Sequence, residues 1–425
     1  MDRVLPSTAE GMVPVARRRI ATAVGAVLLG LVALAFAWLG DRAQSLLILM
    51  AQRWSYAPLL VTPAIFAAVA WVTGRWFATA RGSGIPQVIA ATREPAPSST
   101  GPLVSLRTAA AKFGLTLMML LAGGSVGREG PTVQISAAIM IAVHRFLRVP
   151  ITAGVYIAGG AAGVSAAFNT PLAGVAFAIE ELASAYEQQV AVLVMAAVMI
   201  AGFVSLGLAG DYVYFGVMRQ TLELHTAIVV IPVVAVCGGL AGGLFSRCVL
   251  RLGQTEHPLV VAARARPVQL ALGCGLVVAV LGVATQNTWG TGYETTRAMV
   301  EGEQAALWFG PAKLVSTLAT TLSGTPGGIF APSLSVGAGI GNFLSPFLDA
   351  PAGVVVVLGM ASYFVGVVRA PLTAVIIITE TTASRGLVIP LFAAALIADA
   401  VSALVCRQRL YHGLSAGFLP PREKG

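Results

Sequence analysis

The sequence predicts an all-α protein that crosses a membrane several times. Of its 425 residues, 57% are hydrophobic and 11% are charged, and the mean hydropathy is +0.83. Soluble domains carry about 25% charged residues, so this composition is typical of the membrane class. Uncharged stretches such as residues 20–39 and 351–368 are long enough to cross a bilayer as helices. The 47 glycines and 23 prolines indicate that several of these helices are broken.

Cations at the two ends of the apolar region predict its orientation. Arg17, Arg18 and Arg19 precede the first apolar run, and Arg407 and Arg409 follow the last one. By the positive-inside rule both termini are cytoplasmic, so the chain crosses the bilayer an even number of times. The first run is too long for the apolar part of a cleavable signal peptide, and we expect it to remain as a helix. The net charge of +9 is thus explained without a nucleic-acid partner.

The two halves of the chain repeat the same order of signals. At an offset of 200 residues, the matching pairs are Gly159 and Gly359, Ala161 and Ala361, Pro171 and Pro371, and Glu180 and Glu380. Internal repeats are typical of transporters, whose substrate sites lie where the repeats meet. We expect transmembrane repeats over residues 20–209 and 227–415, joined by the polar segment 210–226, with cytoplasmic segments at 1–19 and 416–425. The residues alone leave open whether the repeats run parallel or inverted.

Three segments rich in glycine and proline interrupt the apolar background. They are residues 82–86 (GSGIP), 127–131 (GREGP) and 327–332 (GGIFAP). Glycine allows close approach of backbones, and proline favours the first turn of a helix. Helix starts expose unpaired N–H groups and a partial positive charge, which attract anions. Each segment alone is read as an ordinary turn more easily than as a site, but together they predict an anion site within the membrane.

These segments, in this order, resemble the signature sequences of the CLC family of chloride channels and chloride/proton antiporters. Residues 166–174, residues 369–373 and the pair Leu410 and Tyr411 resemble further segments of that family. The resemblance covers about residues 20–415. It implies two inverted repeats of broken, tilted helices, and a homodimer with one pore per subunit.

The resemblance also implies a chloride site made of four residues. Ser83 and Tyr411 match the residues whose hydroxyls donate to the central chloride, and Ile329 and Phe330 match those whose backbone N–H groups complete the site. Hydroxyl groups donate without adding charge, so they hold an anion that can still leave. Chloride is the expected substrate, and no metal or other cofactor is expected.

Two glutamates carry the implied proton chemistry. Glu129 matches the gating glutamate, whose carboxylate occupies an anion position and leaves it when protonated, and Glu181 matches the inner glutamate that exchanges protons with the cytoplasm. An ionisable residue inside a membrane segment is a functional hypothesis by default. Two alternatives stay open: a surface salt bridge between Glu129 and Arg128, and a Glu181 that is solvated at a helix end.

The sequence departs from the family pattern at several points. Gln87 follows the proline of the first segment, where several exchangers carry an acid, and its effect is open. Thr381 stands where the first repeat has Glu181, so the proton route would be asymmetric. No soluble nucleotide-sensing segment follows the last apolar run, which favours a bacterial-type protein of the inner membrane.

The leading interpretation is an antiporter that exchanges chloride for protons. A passive, voltage- or pH-gated chloride channel on the same scaffold is the alternative, but Glu181 favours coupling because passive relatives commonly lack an acid there. A fluoride/proton antiporter is less favoured, because such relatives usually replace both Ser83 and Glu181. An intramembrane enzyme is not expected, because the four histidines form no HExxH motif and the four cysteines have no paired short spacing.

Overall fold

The fold is that of a computed structural model. The residues that it describes are 8–94, 101–183, 188–210 and 213–419. Residues 1–7 and 420–425 of the predicted terminal segments, and residues 211–212 of the predicted connecting segment, lie outside this set.

The described residues form eighteen α-helices, eight of them ending before Gly210 and ten beginning at Leu224 or later. The first eight are α1 (Thr8–Arg53), α2 (Pro58–Trp76), α3 (Ile85–Arg93), α4 (Leu106–Leu121), α5 (Glu129–Phe146), α6 (Ala153–Phe168), α7 (Pro171–Phe177) and α8 (Gln188–Ala209). The other ten are α9 (Leu224–Gln254), α10 (Pro258–Arg264), α11 (Pro267–Thr285), α12 (Tyr293–Val300), α13 (Phe309–Leu322), α14 (Phe330–Leu344), α15 (Ala352–Val368), α16 (Pro371–Thr382), α17 (Val388–Val405) and α18 (Leu410–Ser415). A π-helical turn over Ala178–Leu182 continues α7.

Helix length and burial separate an outer set of helices from a central one. Among the described residues, six helices are long and apolar enough to cross a bilayer, namely α1, α2, α8, α9, α11 and α17. The chain is therefore an integral membrane protein. Helices α6 and α15 are shorter and buried along almost their whole length, so protein rather than lipid surrounds them. Short helices of this kind are tolerated at membrane depth because other helices cover their ends.

The repeat seen in the sequence is also present in the packing. Helix α5 packs against α6 as α14 packs against α15, and α4 packs against α5 as α13 packs against α14. A Cβ on Gly159 would lie 2.8 Å from Ala137 Cα, and a Cβ on Gly359 would lie 2.4 Å from Gly337 O. Both positions therefore need glycine for the same reason, which is close contact between two central helices.

In each half, a glutamate accepts hydrogen bonds from the first turn of a helix in the other half. The acceptor–donor pairs are Glu180 with the N–H groups of Leu372 (3.1 Å) and Thr373 (2.7 Å), and Glu380 with those of Leu172 (3.3 Å) and Ala173 (2.8 Å). Each carboxylate thus satisfies unpaired N–H groups in the first turn of the other helix. Reciprocal contacts of this kind are expected across an approximate two-fold axis.

We expect Glu380→Ala to destabilise the packing between the halves. The substitution leaves the N–H groups of Leu172 and Ala173 without their acceptor, and a hydrogen bond to a charged group contributes roughly 1.5–3 kcal/mol. The free energy of unfolding in detergent should fall by about that amount. Glu303→Ala, which removes an exposed glutamate, is the control. Equal stability of the two variants would contradict a stabilising role for Glu380.

Candidate functional site

The three glycine- and proline-rich segments lie at helix starts. Helix α3 begins at Ile85, α5 begins at Glu129 and α14 begins at Phe330. The predicted helix starts are thus confirmed. The first N–H groups of each helix have no carbonyl partner within it, so they remain available to other acceptors.

Backbone hydrogen bonds hold the three segments together. Gly127 and Gly328 form an antiparallel bridge, with N–H···O distances of 2.7 and 2.8 Å in the two directions. The N–H group of Gly327 donates to the carbonyl oxygen of Gly82 at 3.1 Å. Segments more than 200 residues apart therefore meet at one point, where the starts of α5 and α14 face each other across the bridge.

The hydroxyl groups of Ser83 and Tyr411 lie beside this meeting point. Both side chains are buried, and the two hydroxyls lie close enough to interact with each other, but neither has a hydrogen bond of good geometry among the described residues. A Cβ on Gly130 would lie 2.4 Å from Ser83 Oγ, and the rings of Tyr411 and Phe330 are 5.9 Å apart. A buried hydroxyl without a partner is unfavourable, so this arrangement favours a ligand that accepts hydrogen bonds.

The Glu129 carboxylate is buried at the same place. Its side chain is fully buried, and it lies near the backbone N–H group of Ala331 in the first turn of α14, with neither oxygen at hydrogen-bonding geometry. One oxygen would be 2.1 Å from a Cβ on Gly127, so the side chain folds back over its own segment. Arg128 donates to Asp41 Oδ1 at 2.8 Å. Glu129 is therefore an interior carboxylate and not half of a surface salt bridge.

An open cavity of about 650 Å³ reaches the residue that precedes Glu129. Its lining includes Trp38 and Asp41 of α1, Arg128, Tyr214 and Tyr293. The guanidinium of Arg128 stands 5.7 Å from the ring centre of Tyr214. The cavity thus extends to within one residue of the buried carboxylate.

The second predicted glutamate, Glu181, lies in the π-helical turn after α7. Its side chain has no exposed surface, and Oε1 is 3.3 Å from Nδ1 of His412. The neighbouring Glu180 is the residue that caps α16. Glu181 is therefore not solvated at a helix end. The Tyr411 phenol lies within electrostatic reach of both Glu181 and Glu129, so it connects the surroundings of the two acids.

Two buried lysines were missed in the sequence. Lys112 of α4 donates to Gly82 O at 2.6 Å, and Lys313 of α13 donates to Gly290 O at 2.7 Å and to Thr288 O at 2.9 Å. Both are fully buried, and neither forms an ion pair within the described parts of the chain. The two lysines are 201 residues apart, which is also the spacing between the second and third glycine- and proline-rich segments. This shared spacing in the repeat could have identified them from the sequence.

Gln87, whose effect was open, supports the first segment. Its side-chain amide is buried and donates to the carbonyl oxygens of Arg81 (2.6 Å) and Thr79 (3.3 Å). An ionised acid at this position could not donate these bonds. Gln87 therefore fixes the backbone that leads into Ser83.

Comparisons with known proteins identify the family and the fold of this chain. The family model described as voltage-gated chloride channel matches residues 64–403. The fold is similar to that of a slow cyanobacterial Cl⁻/H⁺ antiporter, with TM-score 0.82, 22% identity, and coverage of 96% of this chain and 99% of the other. It is also similar to a CLC-type fluoride/proton antiporter, with TM-score 0.79, 21% identity and coverage of 94% and 98%.

A third similar structure is a eukaryotic CLC transporter, with TM-score 0.76, 22% identity, and coverage of 95% of this chain and 74% of the other. The matches extend over nearly the whole chain. They confirm the predicted fold class, an all-α membrane protein of two inverted repeats of broken helices.

Proposed function

This chain belongs to the voltage-gated chloride channel family, CLC, and we propose that it is a secondary antiporter that exchanges chloride for protons. Family membership makes it a CLC-type anion transporter or channel and not an enzyme. One observation carries the finer proposal. The buried hydroxyls of Ser83 and Tyr411, which have no hydrogen bond of good geometry among the described residues, lie near two helix starts and the buried carboxylate of Glu129.

The groups at this point are suited to an anion. Ser83 and Tyr411 donate from two sides, and the first N–H groups at Ile329 and Phe330 carry the partial positive charge of α14. The nearby Lys112 adds positive charge when protonated. The hydroxyl and N–H groups carry no full charge, so they bind the anion without preventing its release.

The proton path rests on two buried acids. Glu129 follows Arg128, which lines the open cavity, and Glu181 lies near Arg409 and the last helix, where positive charge indicates the cytoplasmic side. Tyr411 lies within reach of both carboxylates. Protons therefore enter from opposite sides at two glutamates, while the anion passes between Ser83 and Tyr411.

Coupling follows from competition at the start of α14. The ionised Glu129 carboxylate lies beside the Ala331 N–H group, in a position that an anion would otherwise occupy. Protonation removes its charge and releases it, so an anion takes its place. Each cycle thus links the uptake of a proton to the movement of an anion.

We also propose the assembly and location that the resemblance implies. The protein is a homodimer with one pore in each subunit, it resides in a bacterial inner membrane, and both its termini are cytoplasmic. The five arginines that flank the first and last apolar runs support this orientation.

The proposed function is tested by following both ions in one proteoliposome assay. An outward chloride gradient should drive protons uphill, and an imposed proton gradient should drive chloride. A passive channel would move chloride without pumping protons. Replacing chloride with fluoride distinguishes the fluoride/proton antiporter, which is a second candidate because one similar structure carries that description. Faster coupled exchange in fluoride than in chloride would favour that candidate.

We expect Ser83→Ala and Tyr411→Phe each to weaken chloride binding by roughly 10–150-fold. Each substitution removes one donor to a charged ligand, and such a bond contributes roughly 1.5–3 kcal/mol, where 1.4 kcal/mol is tenfold in affinity. Calorimetric titration of the purified protein measures the change.

Matched controls for these variants are available in the chain. Ser205→Ala and Tyr363→Phe also remove buried hydroxyls that have no partner among the described residues, but these lie on α8 and α15, away from the three segments. Chloride affinity should not change in the controls. Unchanged affinity in both test variants would remove Ser83 and Tyr411 from the anion site.

A further inference from the structure

A histidine stands between the buried Glu181 and the solvent. His412 follows Tyr411 in α18, and its Nδ1 is 3.3 Å from Glu181 Oε1. The His412 side chain is 30% exposed, whereas that of Glu181 is 0% exposed. The imidazole therefore reaches from the carboxylate to the surface of the protein.

Glu181 needs such an intermediary if it exchanges protons with the cytoplasm. Its side chain has no exposed surface, and neither oxygen has a hydrogen bond of good geometry among the described residues, so the His412 contact is the one ion pair that it forms there. Glu180, the adjacent acid, is held by two N–H groups of α16 and is committed to that cap. Imidazole is the side chain that most readily gains and loses protons near neutral pH.

Other charged groups surround the pair without offering the same contact. Arg409 acts on the Glu181 carboxylate but cannot give up its proton. The elements that pack against α18 are α3, α9 and α15. The titratable and charged residues of these helices and of the positions that follow them include Arg93, Glu94, Arg247, Cys248, Arg251, Tyr363 and Arg369. Among the ion pairs of the described residues, Glu181 takes part only in the one with His412.

We propose that His412 relays protons between the cytoplasmic solution and Glu181. This inference rests on the proposed antiport function and extends it by one residue. In the inward step, the imidazolium gives its Nδ1 proton to Glu181 Oε1, so that an N–H bond breaks and an O–H bond forms. The ring becomes neutral with its remaining proton on Nε2. It then turns about its Cβ–Cγ bond so that Nδ1 takes up a proton from the cytoplasmic solution, and it turns back to face Glu181.

The test compares His412→Ala with wild type in the proteoliposome assay, with cytoplasmic pH varied. Uphill proton flux should fall by at least about tenfold, because a positioned proton-transfer side chain contributes roughly 10²–10⁴-fold in enzymes. His412→Gln, which keeps a polar side chain but does not exchange protons, should be equally slow. His225→Ala, which removes an exposed histidine in the segment between the repeats, is the matched control.

Chemical rescue separates a relay from a structural contact. Added 4-methylimidazole should restore proton flux to His412→Ala but not to the double variant that also carries Glu181→Gln. Rescue should depend on the concentration of the protonated rescuer on the cytoplasmic side. A merely structural role for His412 would leave the variant slow at every concentration, which would overturn the relay.

The outcomes also separate this inference from the proposed function. A wild type that couples the two ions, together with His412 variants of the same rate and pH dependence, overturns the relay and leaves the antiporter intact. A wild type that moves chloride without protons overturns both. Size-exclusion profiles of the variants that match wild type establish that slow flux does not arise from misfolding.

Discussion

Glu129→Gln is expected to abolish proton transport while chloride still moves. The glutamine has nearly the shape of the protonated acid but cannot ionise, so it never competes with an anion at the start of α14. The carboxylate of Glu129 lies next to the Ala331 N–H group, and it is fully buried. A charge held at that point and an anion attracted to it exclude one another, and this exclusion is lost in the variant.

The pH dependence of chloride flux has a defined sign under this mechanism. Low pH protonates Glu129 and releases it, so chloride turnover in wild type should rise as pH falls. The Glu129→Gln protein should show no such rise, and Glu129→Asp should differ from it because the charge is kept on a shorter side chain. Flux through liposomes is measured with chloride and proton electrodes after stepwise changes in pH.

The prediction for Glu129→Gln has a control and a result that would contradict it. Glu256→Gln neutralises an exposed glutamate and should behave as wild type. A Glu129→Gln protein that still pumps protons against a gradient when driven by chloride would end the proposed mechanism.

Glu181→Gln is expected to stop proton movement from the cytoplasmic side while part of the chloride flux persists. The variant keeps the buried side-chain shape but removes the only proton carrier proposed between His412 and the interior. Because Glu129 is unchanged, chloride flux should still rise as pH falls. This retained pH response distinguishes the variant from Glu129→Gln, in which it is lost.

The measurement is the ratio of proton to chloride flux at several pH values. Glu303→Gln, at another exposed glutamate, is the control and should keep the wild-type ratio. If Glu181→Gln keeps the wild-type ratio as well, Glu181 is not the inner proton acceptor, even though its side chain is buried.

Several features of the fold could be predicted from the chain because they depend on local properties. The uncharged run at residues 20–39 lies within α1, but α1 continues to Arg53, past the polar residues Asp41 and Arg42. A long helix can extend beyond the bilayer, and composition alone does not locate its end. The starts of α5 and α14, by contrast, coincide with their segments, because proline favours the first turn of a helix and glycine permits the tight backbone before it.

The candidate site was predicted less completely than the fold. The sequence indicated the three segments, and the resemblance added Tyr411 and Glu181, which come from distant parts of the chain. Neither the sequence nor the resemblance gave a role to Lys112 or to His412, because a lysine or histidine in an apolar stretch has several ordinary explanations. Their contacts with Gly82 O and with Glu181 become visible only when the helices are packed.

Composition, apolar runs and the repeat register were enough to determine that this is a broken-helix membrane protein with an internal repeat. These properties follow from residue hydrophobicity and from short-range backbone preferences, which act along the chain. The tertiary structure alone decided that Glu180 caps α16, with an acceptor and donor 193 positions apart, and that His412 covers Glu181. Such contacts are determined by how distant helices pack, and within an apolar interior a polar group must find its partner wherever that packing provides one.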